Sequence, residues 1–323
     1  MFSVVIPLYN KEHVIIQTLE SVLAQTFTEF EVVIVDDGST DNGVKTIHKF
    51  TSDSRIKIIS QENQGVSVAR NVGVENSKYD YVAFLDGDDK WMPTYLETMK
   101  QAIDRFPDSG MICCGGTVEN SDQTISYRLA KKYLNQIVKI NFFENPHVFL
   151  HTSATIVKRN VFQQTQGFPV GMKRNQDFAL FFSVALISPV AYCGFPLSIY
   201  VGGVEGQATS AKIESIIKHK INRHNLVFEN YLKSRQNNPE FIVFLKYELR
   251  HDFINQLKRR NCPIIKEYFN GLRVEIIQLF PEFERKLYQK THLRKLGLVF
   301  GLLTKVRWRL RGYPVVGEIR RLK

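Results

Sequence analysis

Two clusters of carboxylates stand out in this chain of 323 residues. Asp36-Asp37 leads into Gly38-Ser39-Thr40-Asp41, and Asp86-Gly87-Asp88-Asp89 places three acids in four positions. Like charges this close repel unless a cation or cationic ligand meets them. No His or Cys pattern with metal spacing accompanies them. Cys113, Cys114, Cys193 and Cys262 form no disulfide framework and read as small buried apolar residues in a reducing cytosol. Oxygen donors alone suit a hard divalent ion, Mg2+ or Mn2+, that shares its coordination with phosphate. The expected ligand is a phosphorylated molecule, most simply a nucleotide. It is not held through the common glycine motifs. Pro7-Leu8-Tyr9-Asn10-Lys11 follows the first apolar run with no G-x-G-x-x-G, and no G-x-x-x-x-G-K-[ST] occurs. For Asp36-Asp37 a plain turn remains an alternative, with Ser39-Thr40-Asp41 capping a helix.

The elements that must position these acids follow from periodicity. Short β-branched runs recur at Ser3–Leu8, Glu31–Val35, Arg55–Ser60 and Tyr81–Leu85. Helical spacing separates them: Val14, Ile15, Leu19, Val22 and Leu23 mark one face, and Val66, Ala69, Val72 and Val74 a less regular one. Pro93 stands where a first helical residue belongs, ahead of Leu96, Met99, Ile103 and Phe106. Alternating strand and helix predicts an α/β fold with a mostly parallel sheet flanked by helices. Ligands of such sheets sit beyond the carboxyl ends of the strands, where both acidic clusters fall.

At these residues the chain resembles the family 2 glycosyltransferases of GT-A fold (Rossmann-like), the bacterial group that builds surface polysaccharides. Four stretches across residues 1–210 carry the resemblance. They are Val4-Val5-Ile6-Pro7-Leu8-Tyr9-Asn10; Gln25-Thr26-Phe27 with Phe30 through Asp41; Asn63-Gln64-Gly65 with Ala69-Arg70-Asn71; and Leu85-Asp86-Gly87-Asp88-Asp89. The resemblance implies roles. Asp37 contacts the nucleotide base beside the Pro7–Tyr9 backbone, and Asp36 supports that pocket. Arg70 lies near the base or diphosphate. Asp86 holds the ribose or the metal, Asp88 is the principal metal ligand of a D-x-D motif, and the part of Asp89 stays open. The family's base sits in an acidic pair before a helix. Here that is Asn175-Gln176-Asp177, with Gln176 in place of the usual Glu and Asp177, the only acid between Glu144 and Glu205, as candidate base. A helix N-cap is the alternative for Asp177. Thr152 to Val157 and Gly167-Phe168-Pro169 also resemble the family's approach to this base. His147 and His151 lack a third ligand and read as structural or acceptor-side.

Such parts transfer a sugar from a nucleotide-sugar, with UDP favoured by family tendency. A divalent metal neutralises the leaving diphosphate, and Asp177 deprotonates the acceptor hydroxyl. One base and one displacement invert the anomeric carbon. A sugar nucleotidyltransferase and a non-catalytic nucleotide-sugar-binding protein at the membrane are the alternatives. The former usually carries a glycine-rich loop with Arg and Lys where Pro7-Leu8-Tyr9-Asn10 stands.

Charge divides the chain. Residues 1–210 hold 18 basic and 22 acidic side chains, net −4, and residues 211–323 hold 25 and 10, net +15. The first span is expected to be the catalytic domain and the second a helical, basic region. From Arg285 to Lys323 there are 12 Lys or Arg against the single acid Glu318. Leu296, Val299, Leu303 and Trp308 are interleaved with Arg294, Lys295, Lys305 and Arg307, a pattern that suits an anionic membrane surface. Packing on the catalytic domain is the alternative, and no nucleic-acid motif is present. The longest apolar stretch near the C-terminus, Leu296 to Leu303, is 8 residues against the roughly 20 of a bilayer span. No signal peptide is visible. The expected place is the cytoplasm, peripheral on the inner face of the plasma membrane, with a glycan or lipid-linked acceptor.

Overall fold

The computed structural model describes residues 1–120, 124–144, 151–204, 213–234 and 238–310. His147, the expected boundary at 210 and the tail beyond Leu310 lie outside them. Two compact units emerge: residues 1–140 with 151–204, and residues 141–144 with 213–310, as far as described.

The first unit carries ten strands in one sheet. They are β1 (Phe2–Leu8), β2 (Phe30–Asp36), β3 (Ile56–Ser60), β4 (Tyr81–Phe84), β5 (Lys90–Trp91), β6 (Met111–Glu119), β7 (Ile125–Arg128), β8 (Ile137–Ile140), β9 (Thr155–Lys158) and β10 (Val190–Val201). Six helices accompany them: α1 (Ile15–Leu23), α2 (Gly43–Phe50), α3 (Val66–Glu75), α4 (Tyr95–Arg105), α5 (Arg159–Gln163) and α6 (Gln176–Ile187). The strand order is β3-β2-β1-β4-β9-β6-β10-β5, with β7 on β6 and β8 on β10. The parallel sheet expected from the alternating pattern is the half β3-β2-β1-β4. Beyond it directions mix: β9 runs antiparallel to β4 and β6, and β10 runs parallel to β6.

Burial explains why β1 and β2 read as continuous apolar runs. Every residue of β2 is buried, including Glu31, whose carboxylate accepts from Ser3 Oγ at 2.6 Å and Lys78 N at 2.7 Å. The irregular apolar face of α3 has its cause in Gly73. A Cβ there would lie 2.3 Å from Val5 Cγ1, so helix and strand approach through a missing side chain. Pro93 does not open α4. The helix starts at Tyr95, and the Pro93 carbonyl instead accepts from Thr26 N at 2.9 Å. Nor does Ser39 or Thr40 cap α2. Asp41 Oδ1 accepts from Gly43 N at 3.0 Å, and Asp41 Oδ2 ties down Glu12 N at 2.8 Å.

The second unit is helical: α7 (Ile213–Lys233), α8 (Pro239–Lys258), α9 (Cys262–Gly271), α10 (Val274–Gln278), α11 (Glu282–Gln289) and α12 (Arg294–Leu310). Phe253 at its centre meets Phe269, Tyr288, Tyr268 and Phe280 at ring centroids of 5.1 to 6.0 Å. Charge is buried as pairs: Arg250 with Glu284 at 2.7 Å and Arg223 with Glu248 at 3.0 Å.

Candidate functional site

The carboxyl ends of β1, β2, β3 and β4 meet in a set of interlocked loops. Asn10 takes a positive φ of 50°, which turns its side chain so that Oδ1 accepts from Thr40 N at 2.8 Å. Gly38 also has positive φ, and a Cβ there would stand 2.8 Å from Asn63 N. Both the backbone conformation and the close approach exclude a larger residue. Asp36, buried, accepts from Ser39 N at 3.0 Å and so shapes this turn. Asp37 is 3% exposed, and its carboxylate accepts from Gln61 Nε2 (2.7 Å), Gln64 N (2.9 Å) and Gly65 N (2.8 Å). It therefore clamps the loop that enters α3. Tyr9 stands exposed beside this pocket, and Pro7 is half-buried.

The second cluster lies across the top of the sheet. Asp86 N donates to Ser153 Oγ at 3.1 Å, and that hydroxyl donates to Asp89 Oδ2 at 2.5 Å. Asp89 Oδ1 accepts from Val201 N at 3.2 Å. Arg70, on α3, is 3% exposed, pairs with Asp86 through Nη2, and lies 5.1 Å over the Phe168 ring. Lys11 Nζ pairs with Asp88 Oδ2 at 2.8 Å.

The three acids are thus neutralised in three ways. Burial pushes the Asp86 carboxyl up, but the Arg70 guanidinium and its neighbours outweigh that and hold it below the usual carboxylate range. Asp88 has its lysine. Burial, reinforced by the charges of Asp86 and Asp88, drives the Asp89 carboxyl well above the ordinary carboxylate value. Its place is structural, between the segment before β9 and the end of β10.

His151 joins this group. Its Nε2 lies 3.6 Å from Asp89 Oδ2, and its ring meets Tyr200 edge-on at 5.3 Å. Burial lowers its pKa, against the opposing pull of Asp86 and Asp177, so the imidazole is neutral. Among the described residues, ligand atoms of Asp86, Asp89 and His151 lie within 4.8 Å of one another. The sequence paired Asp86 with Asp88 for the metal; side-chain geometry groups Asp86 with Asp89 and His151 and does not include Asp88 in that group. These donors fit a hard divalent ion. Asp86 Oδ2 and Asp88 Oδ1 take no hydrogen bond from the described residues, and a neutral imidazole beside them is a competent further ligand.

Asp177 is the second residue of α6, half-buried, and its Oδ1 accepts from Phe178 N at 2.8 Å. It is not the N-cap; Asn175 holds that place in a left-handed conformation with φ 61°. Its charge raises the His151 pKa against the effect of burial, as the charges of Asp86 and Asp88 do. The segment before it is fixed to α3, because Asn71 accepts from Phe168 N and donates to Phe168 O, both at 2.9 Å.

Lys11 is the site residue that sequence reasoning passed over, and His151 is one that it read as structural or acceptor-side. Lys11 directly follows the first strand, at the sheet edge where ligands gather, and its position alone was a signal. His151 carried none beyond its place before Thr152-Ser153.

The family described as Glycosyl transferase family 2 matches residues 3–165. An uncharacterised glycosyltransferase of Haemophilus influenzae is 25% identical over 284 residues, covering 84% of this chain and 89% of its own. The glycosyltransferase GlyA of Streptococcus pneumoniae is 41% identical over 102 residues, 31% of this chain. The chain spans 15% of GlyA's length and 32% of a Rickettsia felis relative's. A crystal structure of S. aureus TarS 1-349 in complex with UDP-GlcNAc superposes with a TM-score of 0.70 at 17% identity, over 100% of this chain and 99% of that one, a likeness of fold.

Proposed function

The chain belongs to glycosyl transferase family 2, and from that premise we propose that it moves one sugar from a nucleotide-sugar, a UDP-sugar in the first instance, to a hydroxyl of a lipid-linked or cell-envelope glycan, with inversion at the anomeric carbon. The observation that carries this reading is Arg70. Among the described residues its Nε and Nη1 are buried without a hydrogen-bond partner, although Nη2 is held by Asp86. A buried guanidinium with spare donors, set against clustered carboxylates, provides for an anion and a cation side by side. A metal-bound diphosphate is that combination, and UDP-GlcNAc in S. aureus TarS is one of the kind.

In this mechanism Asp86 and Asp88 would hold a divalent ion, with His151 beside Asp86, and the ion would supply Lewis acidity toward the leaving diphosphate. Arg70 binds the phosphate oxygens through its two spare donors. Asp37 and Asp36 fix the loops that form the base pocket, with the Pro7–Tyr9 backbone alongside. Asp177 receives the acceptor proton at Oδ2, the oxygen not engaged by Phe178 N, a contribution of about 10²–10⁴-fold. The acceptor oxygen then attacks the anomeric carbon as the bond to diphosphate breaks. The span 1–210 acts as the catalytic domain, and 211–323 serves the acceptor side.

Incubation with a panel of UDP- and GDP-sugars and Mn2+ should release nucleoside diphosphate, and EDTA should stop it. Release of pyrophosphate from a nucleoside triphosphate and a sugar phosphate would instead establish the nucleotidyltransferase. Binding without turnover would leave a nucleotide-sugar-binding protein.

A further inference from the structure

Helix α12 is apolar on two faces for two different reasons. One face is packed within the helical unit through glycines. A Cβ at Gly297 would lie 2.8 Å from Leu287 O, and one at Gly301 would lie 2.4 Å from Ile254 Cγ1. The helix therefore sits close on α8 and α11 with little side chain between. The other face has no such contact. Leu296, Val299, Leu303, Val306 and Leu310 are 59%, 56%, 63%, 53% and 83% exposed. Their spacing alternates three and four residues, which lines them up in one stripe. No candidate membrane-spanning helix is found among the described residues, so the stripe does not belong to a span.

An apolar stripe of this spacing also suits pairing with another helix, and charge decides between occupants. Residues 294–310 contain Arg294, Lys295, Lys305, Arg307 and Arg309 and no acid. Lys295 and Arg307 are exposed. Arg294 Nη1 donates to Leu257 O at 2.9 Å, which sets exposed Lys258, Arg259 and Arg260 beside the start of α12. A second copy of the chain would bring like charges together along the seam. An anionic surface would not.

We infer that the Leu296–Leu310 stripe of α12 and the basic residues around its start form a surface that lies on an anionic lipid bilayer, the helix axis in the plane of the interface. The apolar side chains enter the headgroup–acyl boundary, and Lys295, Arg307 and the 258–260 cluster meet phosphate headgroups. The geometry stands independently of catalysis. Its purpose rests on the proposed transfer to a lipid-linked acceptor.

The test is sedimentation of the full chain with phosphatidylcholine vesicles, with and without phosphatidylglycerol, over a salt series. The chain should pellet with the anionic vesicles only, and rising salt should weaken binding without abolishing it, because the apolar part is not screened. The double variant Val299→Gln with Leu303→Gln, and separately Lys295→Gln with Arg307→Gln, should each lower partitioning by about tenfold or more. Equal binding to neutral vesicles, or none to anionic ones at low salt, overturns the inference. So does a solution dimer that Leu303→Gln dissolves, which would assign the stripe to a second copy. So does unfolding of either variant by circular dichroism, since exposed residues do not hold a fold. Donor breakdown without vesicles should be equal in wild type and variants. Its absence in all of them sinks the transfer reading and leaves the surface standing.

Discussion

Replacing Lys11 with methionine should tighten binding of Mn2+ to the nucleotide-free protein. Lys11 Nζ sits 2.8 Å from Asp88 Oδ2, and the two side chains are only 13% and 12% exposed. At an effective dielectric near 20, the bare attraction at that distance is about 6 kcal/mol. Desolvation of both ions takes back most of it, and a charge-assisted hydrogen bond nets about 1.5–3 kcal/mol. An ion that takes Asp88 must compete with that pair. Removing the amine removes the competition, so affinity for Mn2+ should rise by about 10- to 100-fold. Methionine keeps most of the stem's packing and carries no charge, so the loop after β1 should persist. Electron paramagnetic resonance titration of free Mn2+ measures this without turnover. Lys11→Arg is the control and should bind Mn2+ like wild type. Unchanged or weaker Mn2+ affinity in Lys11→Met would refute the reasoning, since Lys11 would then be no competitor at Asp88.

Asp177→Asn, nearly isosteric and unable to take a proton, should lower kcat by about 10²-fold or more while UDP affinity stays near wild type, read by initial rates and calorimetry. Asp88→Ala should abolish both transfer and the Mn2+-dependent thermal stabilisation by UDP, with the circular dichroism spectrum retained. Gly73→Val forces a side chain into the contact with Val5 and should cost about 2–3 kcal/mol, seen as a lower urea midpoint. In the helical unit, burial brings His251 down to about 4, with Lys305 adding to the effect. The unfolded chain then binds a proton that the folded one refuses, so stability should be full above about pH 6.5 and fall toward pH 4. His251→Gln should flatten that slope in denaturant titrations at a series of pH values.

Much of the first half was legible because local rules and tertiary demand agree there. β1, β2 and β4 are almost wholly buried, so their apolar runs are continuous, whereas β3 at the end of the sheet order is half-buried with Lys57 and Ser60 exposed. Asp36, Asp37, Asp86 and Asp88 could be placed on one sheet edge for that reason. What sequence could not show was how each charge is answered. The partners of Asp88 and Asp37 come from Lys11 and from the Gln61–Gly65 loop, and no periodicity marks a contact between loops. The part of Asp89 stayed open in the sequence, and Ser153 and Val201, 64 and 112 positions away, make it an interior hydrogen-bonding group. Pro93 misled through its frequency at helix starts, because the carbonyl it presents to Thr26 outweighed that preference. The outer stripe of α12 was readable as amphipathic, but only the glycine contacts at 297 and 301 say which apolar residues face inward.

The route of the chain from β4 to β5 has a consequence for its synthesis. β4 pairs with β1 and β9, whereas β5, only six residues further on, pairs with β10 at Ser198 and Ile199. Residues 85–89 therefore lead from a strand in the middle of the sheet order to one at its end, where Trp91 pairs with Ser198 and Asp89 accepts from Val201 N. While the ribosome has delivered only the first hundred residues, this segment already has Arg70 for Asp86, Lys11 for Asp88 and Ser21 Oγ for Trp91 N, but not β10. Asp89 alone of its three acids waits for later partners, Ser153 and then Val201. A nascent chain can thus form β3-β2-β1-β4 early with Asp86 and Asp88 already paired, whereas a fragment ending with the family match at 165 lacks the strand that receives β5 and the Val201 N–H that holds Asp89. The final fastening of this segment arrives late, at the moment the sheet is closed by its last strand.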